Sequence, residues 1–465
     1  MMSNILLVEP AYRSKFPPLG LLRISTFHKE RGDSVSFARG KLEDLRAVAW
    51  HKVYISSLFT YELPKTIDTI RYYSPTVPER GDVIVGGIAA TLMPGYIRER
   101  VRCTIVEGPL DRAGKLGPGT PALADLTPDY SLLKSVPYNY QPSDAYFVRV
   151  TKGCIRRCRF CAVPILEPEF GYCGSVASQV RGIASRHGEQ QNLVLLDNNI
   201  LAIDGIEAVI GEIRDCGFQT GAKRNGRQRW VDCNQGLDAR LITPRIAKLL
   251  STVALSPVRL AFDSDNVERP YRGAVATLAQ HGFGEFTTYV MYNFLDSPKS
   301  FYERLRVNVE LSAVLGIRVT GFPMRYVPIT DIERGYVSPH WEWRYLRGIQ
   351  CILLATHGMV SPSAEFFEAA FGSTVEEFLE IVSMPDRYII YRQRHSADAA
   401  AWRRLYRSLS ASERGDFLQL LASLHRSRLK YVDREARRRF GTLLQHYYPD
   451  GIPVARDMQA TLPFE

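Results

Sequence analysis

The sequence lacks the features that would take it out of the ordinary folded class. No apolar run approaches the roughly 18 residues a membrane span needs, and the run from Ile5 to Val8 is ended at once by Glu9 and Pro10. No internal repeat and no low-complexity segment is present, which excludes a solenoid and a disordered chain. Cysteine is scarce, with eight in 465 residues, far from the density of a disulfide-built secreted domain. That usage points to a reducing compartment, and the lack of a spanning run leaves a cytoplasmic chain with no membrane partner as the expectation. Neither sign of charge dominates: Lys plus Arg (59) exceed Asp plus Glu (49) by 10, an excess that allows an anionic partner without demanding one. What is present is a globular composition, 45% hydrophobic and 23% charged, in a chain long enough for two or three domains.

The N-terminal part alternates strands and helices. Asn4 to Val8, Ser34 to Ala38, Lys52 to Ser57, Asp82 to Val85 and Cys103 to Val106 read as strands, and Leu19 to Glu30, Glu62 to Tyr72 and Thr91 to Glu99 as helices. Strict alternation implies a parallel sheet, which binds ligands at the carboxyl ends of its strands. From Gly108 to Pro142 recurring Gly and Pro break regular structure and mark a connector. A second alternation follows, with strands at Ala145 to Val150, Leu193 to Leu196, Trp230 to Asn234, Val258 to Phe262, Thr287 to Tyr292 and Val319 to Arg325. Six such strands with crossovers suggest an open or partial barrel, with chemistry gathered just after each strand. There lie Asp197, Asn198, Asn199, Asn234, Gln235, Asp263, Asn293 and Arg325. Helix caps and turns use the same residue types. Beyond about residue 335 the pattern is helical. A basic stretch from Arg426 to Arg439 is interrupted by Asp433 and Glu435, which favours a solvated helix face over a nucleic-acid footprint.

Cys154, Cys158 and Cys161 fall within one eight-residue window directly after the first barrel strand. Structural zinc would want a fourth ligand nearby, and only Cys173, twelve residues on, is available. A three-cysteine iron-sulfur cube instead leaves one iron open to substrate or cofactor. CxxxCxxC with Phe160 before its last cysteine, placed on a strand-to-loop junction, resembles the radical S-adenosylmethionine (radical SAM) superfamily. The resemblance implies that Cys154, Cys158 and Cys161 hold a [4Fe-4S] cluster whose open iron chelates S-adenosylmethionine. It further implies reductive cleavage to a 5′-deoxyadenosyl radical that abstracts hydrogen from substrate, with an electron donor such as flavodoxin or ferredoxin. Phe160 would pack near the adenine. Asp197-Asn198-Asn199 occupies the place of the family's Gly-Gly-Glu-like segment, which receives the methionine amino group. Asn234, Gln235 and Asp263 would contact cofactor and ribose hydroxyls, and Arg240 or Arg325 the methionine carboxylate. Cys173 is a candidate hydrogen donor or substrate contact.

The N-terminal domain is similar to cobalamin-binding domains: Ser56-Ser57-Leu58 matches their Ser-x-Leu element, and Gly86-Gly87 their Gly-Gly element. The histidine loop of that family would fall at Glu9 to Ser14, where Ala11 replaces the imidazole. The organisation implied is a Rossmann-like cobalamin-binding-type domain over 1–110, a connector over 111–143, a partial (β/α)6 radical SAM barrel over 144–335 and a helical domain over 336–465. The leading reading is radical hydrogen abstraction from an unidentified substrate. The alternatives are a cobalamin-dependent radical SAM methyltransferase and a nucleic-acid-binding protein with a structural metal site.

Overall fold

The computed structural model describes residues 2–426 and 432–452, and these form two compact units. The first runs to Leu260 and includes Thr277–Phe283 and Val327–Tyr336. The second comprises Ala261–Ala276, Gly284–Tyr326 and the chain from Val337.

The first unit opens on a parallel sheet of β1 (Asn4–Glu9), β2 (Ser34–Arg39), β3 (Lys52–Ser56), β4 (Val83–Gly86) and β5 (Thr104–Val106), in the order β2-β1-β3-β4-β5. Leu6 faces Ser36 on one neighbour and Val53 on the other. The short apolar runs are buried on both faces, as a helix-covered parallel sheet requires. Leu6, Val8, Val53, Ile55, Val83 and Val85 pack with Leu63, Ile67, Ile70 and Tyr73 of the helix Leu63–Tyr73. Each such aliphatic side chain contributes about 1.5–3 kcal/mol by leaving water. Because β1 lies between β2 and β3, the crossovers diverge there and leave a crevice at the carboxyl ends. The helix expected over 91–99 is two short ones, Ile88–Leu92 and Pro94–Arg98. Pro94 supplies no N–H and pushes Met93 out of helical geometry, so the break falls between them.

The connector is pinned to the helix Leu19–Glu30. Asp129 accepts from Ser25 Oγ and pairs with Lys29 Nζ, each at 2.7 Å, and Thr26 Oγ1 donates to the Thr127 carbonyl at 2.6 Å. Next come β6 (Ala145–Val148), β7 (Asn192–Leu195) and β8 (Val231–Cys233), parallel in the order β8-β7-β6. β9 (Val258–Ala261) follows, joined to the β8 segment by isolated bridges, Val231 to Leu255 and Leu237 to Leu260, and by Arg259 Nε donating to Asp232 Oδ1 at 2.6 Å. The second unit carries β10 (Glu285–Tyr292) and β11 (Arg318–Arg325), parallel over eight residue pairs. Strands therefore form at all six places where the second alternation predicts them. The ladder is interrupted between β8 and β9, where the chain turns through Gly236 (φ 88°).

The C-terminal helices pack around Phe371, Phe378, Ile381, Trp402, Phe417, Phe440 and Leu444. Of the basic stretch, Arg428 and Lys430 lie outside the described residues. Arg434, Arg437 and Arg438 are exposed on the helix Arg434–Tyr447, whose other face buries Phe440, Leu443 and Leu444. Arg439 pairs with Asp416 at 2.8 Å, as a solvated amphipathic face would. Among the described residues no helix is long and apolar enough to cross a membrane.

Candidate active site

The cysteines sit on a loop closed at its neck, where Thr151–Lys152 pairs antiparallel with Gly171–Tyr172. Gly153 starts the turn with φ +69°, and a Cβ there would lie 2.2 Å from the Glu169 carbonyl oxygen, so only glycine fits. Cys154, Cys158 and Cys161 are half-exposed and in no disulfide. The backbone folds back on the sulfurs: Arg156 N–H points at Cys154 Sγ at 3.3 Å, and Val163 N–H at Cys161 Sγ at 3.5 Å. Such donors favour a charged or metal-bound sulfur and tune an iron-sulfur centre. Among the described residues no three His, Cys, Asp or Glu side chains close on one point to hold a single ion.

The loop after β7 forms one wall. Asp197 Oδ1 accepts from Val150 N–H (3.0 Å), Thr151 N–H (2.5 Å) and Thr151 Oγ1 (2.7 Å), anchoring the root of the cysteine loop. Burial pushes its carboxyl up despite these donors. Asn199 Nδ2 approaches Cys154 Sγ at 3.7 Å and Asp238 Oδ2 at 3.3 Å. Asn198 Nδ2 donates to Glu167 Oε2 at 3.2 Å, which also accepts from Gly153 N–H at 2.8 Å and pairs with Arg149. Asp197 Oδ2 and Asn199 Oδ1 are buried with no hydrogen-bond partner among the described residues. Two orphaned acceptors beside the cysteines suit a donor-only group such as an ammonium.

Asp238, after β8, is the other organiser. It accepts from Arg156 Nε of the cysteine loop at 2.9 Å and from Arg240 Nε at 2.6 Å. Arg240, expected to meet a methionine carboxylate, is held in this structure by Asp238. Asn234 anchors its own loop by donating its backbone N–H to the Leu195 carbonyl at 3.1 Å, and Gln235 is exposed. Phe160 is half-exposed within the loop. Cys173 is exposed just past the neck, its Sγ 3.7 Å from the Arg149 carbonyl. Asp263 and Arg325 belong to the second unit. There Arg304, 1% exposed, donates to the Phe262 and Met291 carbonyls at 3.0 and 2.8 Å and so fastens the ends of two strands. Asn293 (φ 69°) is tied to the Tyr326 carbonyl and to Ser338 N–H, each at 2.9 Å, a fastening role. Glu167, Asp238 and Arg304 were not singled out from sequence, because each follows a turn or sits on a helix with no motif around it.

At the carboxyl ends of the first sheet, Ser56, Leu58, Gly86 and Gly87 form an open shelf with exposed Ile88. Gly87 (φ +104°) packs so closely that a Cβ would lie 2.6 Å from the Ser57 carbonyl oxygen. Tyr12 Oη is 3.1 Å from Ser56 Oγ, and the β1 loop carries no histidine. The side-chain-free glycines and apolar rim fit a flat macrocycle lying on the shelf, held without an imidazole from this loop. Helix Ile88–Leu92, leaving the shelf, touches Val163–Leu166, which follows Cys161 directly. Shelf and cysteine loop thus adjoin within one unit.

No family model matches the chain, and no curated protein does. Among solved structures, the radical S-adenosylmethionine methyltransferase TsrM from Kitasatospora setae, with cobalamin and a [4Fe-4S] cluster bound, is similar at 16% identity and a TM-score of 0.50. The match covers 71% of this chain and 77% of that one. The cobalamin-dependent S-adenosylmethionine radical enzyme OxsB, with aqua-cobalamin and S-adenosylmethionine bound, aligns over 96% of this chain and 75% of its own. Its identity is 11% and its TM-score 0.48. The likeness to TsrM is one of fold.

Proposed function

We propose that this chain is a cobalamin-dependent radical SAM methyltransferase. The observation that carries this reading is the contact between Ile88–Leu92 and Val163–Leu166, which sets the glycine-lined shelf next to a three-cysteine loop. Cys154, Cys158 and Cys161 would hold a [4Fe-4S] cluster, and Ser56, Leu58, Gly86 and Gly87 would carry cobalamin. When bound, the cluster supplies an electron and an open iron for S-adenosylmethionine, and the corrinoid supplies a methyl carrier. The chain's own residues bind and orient. Asp197 Oδ2 and Asn199 Oδ1 offer acceptors to the methionine ammonium, and Asp197 Oδ1 keeps the loop root fixed while they do so. Phe160 supplies an apolar face for the adenine. Asn234 and Gln235 are the proposed contacts to cofactor and ribose hydroxyls. Exposed Arg157 and Arg159 give the loop a positive rim for an acidic electron donor such as flavodoxin or ferredoxin.

The hydrogen-abstraction reading shares the cysteine loop but gives the shelf no task, so the methyltransferase reading accounts for more of the molecule. Anaerobic protein reconstituted with iron and sulfide is mixed with cobalamin at micromolar concentration, and the bound fraction is read by its corrin absorption. Retention of one corrinoid per chain, with transfer of labelled methyl from S-adenosylmethionine to cobalt, supports the proposal. No retained corrinoid returns the chain to hydrogen abstraction.

A further inference from the structure

Resting on the cluster reading above, we infer that Asp238 is a positioning residue that holds Arg156 and Arg240 against the cysteine loop and thereby sets the reduction potential of the centre. Its side chain is 7% exposed, and it is the only carboxylate among the described residues that binds both of these guanidiniums. Oδ2 takes Arg156 Nε at 2.9 Å and Arg240 Nη2 at 3.2 Å, while Oδ1 takes Arg240 Nε at 2.6 Å. Asn199 Nδ2, which also faces Cys154 Sγ, lies 3.3 Å from the same Oδ2. One carboxylate therefore joins the cysteine loop, the β7 loop and the β8 loop. Arg240 stands in the field of the Cys158 and Cys154 sulfurs as well as that of Asp238.

The consequence is electrostatic. Three thiolates and a cube make a negatively charged centre whose reduction adds one more negative charge. Nearby positive charge favours that step and nearby negative charge opposes it, most strongly where water is excluded. Arginine does not titrate in the working range, so its contribution depends on where it is held and on the counter-charge beside it. Asp238 supplies both the hold and the counter-charge. An Asp238→Asn change keeps the shape, removes one negative charge and turns one of the two acceptor oxygens into an NH2 donor, while the other oxygen still accepts. Arg240→Gln removes the positive charge from the same cluster of groups.

The two substitutions should move the potential in opposite directions. Wild type, Asp238→Asn, Asp238→Glu and Arg240→Gln are reconstituted anaerobically with iron and sulfide and titrated with reductant under paramagnetic-resonance detection. Expected are a midpoint shifted upward in Asp238→Asn, shifted downward in Arg240→Gln, and restored toward wild type in Asp238→Glu. If Asp238→Asn fails to take up iron, the downward shift in Arg240→Gln carries the test. Midpoints that coincide with wild type in every loaded variant would overturn the inference while leaving the cluster intact. A wild-type protein that assembles no cube would instead overturn the cluster reading, and this inference with it.

Discussion

Asn199 directs its side-chain amide at Cys154 Sγ across 3.7 Å while its own carbonyl oxygen is buried without a partner. A residue 45 positions further along the chain thus touches the first sulfur and holds an acceptor in reserve beside it. Replacing it by Asp would put a negative charge against that sulfur, and by Leu would leave neither donor nor acceptor. Asn199→Leu is expected to keep iron content near wild type and to weaken S-adenosylmethionine binding at least tenfold, the order of one lost hydrogen bond to a charged group. Equilibrium dialysis against labelled S-adenosylmethionine checks this.

Gly153→Ala should fail at the start of the loop. Its left-handed backbone costs a β-carbon about 1–3 kcal/mol, and the 2.2 Å approach to the Glu169 carbonyl cannot be relieved without opening the neck. Iron uptake should fall severalfold, while corrinoid retention on the shelf is less affected. Iron analysis and corrin absorption on the same sample separate the two.

Gly87→Ala makes the converse prediction. The added carbon meets the Ser57 carbonyl at 2.6 Å and must push the shelf out of shape. Corrinoid retention should drop at least tenfold with the cluster still loaded. Equal loss of both would show that shelf and loop do not report on separate groups.

Acid stability of the helical unit should depend on Asp386. Burial pushes its carboxyl up, but Arg344 and Arg347 outweigh that and hold it below its ordinary value. A lowered carboxyl contributes stability that is present above about pH 4 and is lost as pH falls through its folded value. Asp386→Asn leaves Arg344, only 3% exposed, without its counter-charge, a destabilisation smaller than that of a fully buried pair because Asp386 itself is partly exposed to solvent. Thermal melts across about pH 3 to 6 should show a lower Tm for the variant at the upper end and convergence with wild type at the lower.

Much of this architecture was legible in the chain because burial writes itself into apolar runs. Ile5 to Val8, Val83 to Val85 and Leu193 to Leu195 read as strands and are buried strands. The cysteines were legible because three ligands on one loop must be close in sequence. What joins that loop to the rest was not. Asp238 lies 82 residues from Arg156, and Glu167 looks like any acidic loop residue until Gly153 N–H is seen to point at it. The break at Met93 was written in Pro94 but hidden by the helical spacing around it.

The most direct test is the paramagnetic-resonance spectrum of anaerobic, iron-loaded, dithionite-reduced protein, recorded before and after S-adenosylmethionine is added. A three-cysteine cube beside Asn199 and Asp197 predicts a [4Fe-4S]+ signal that changes on addition and is absent from Cys158→Ala. Zinc in place of iron, or a cube signal indifferent to S-adenosylmethionine, would contradict it.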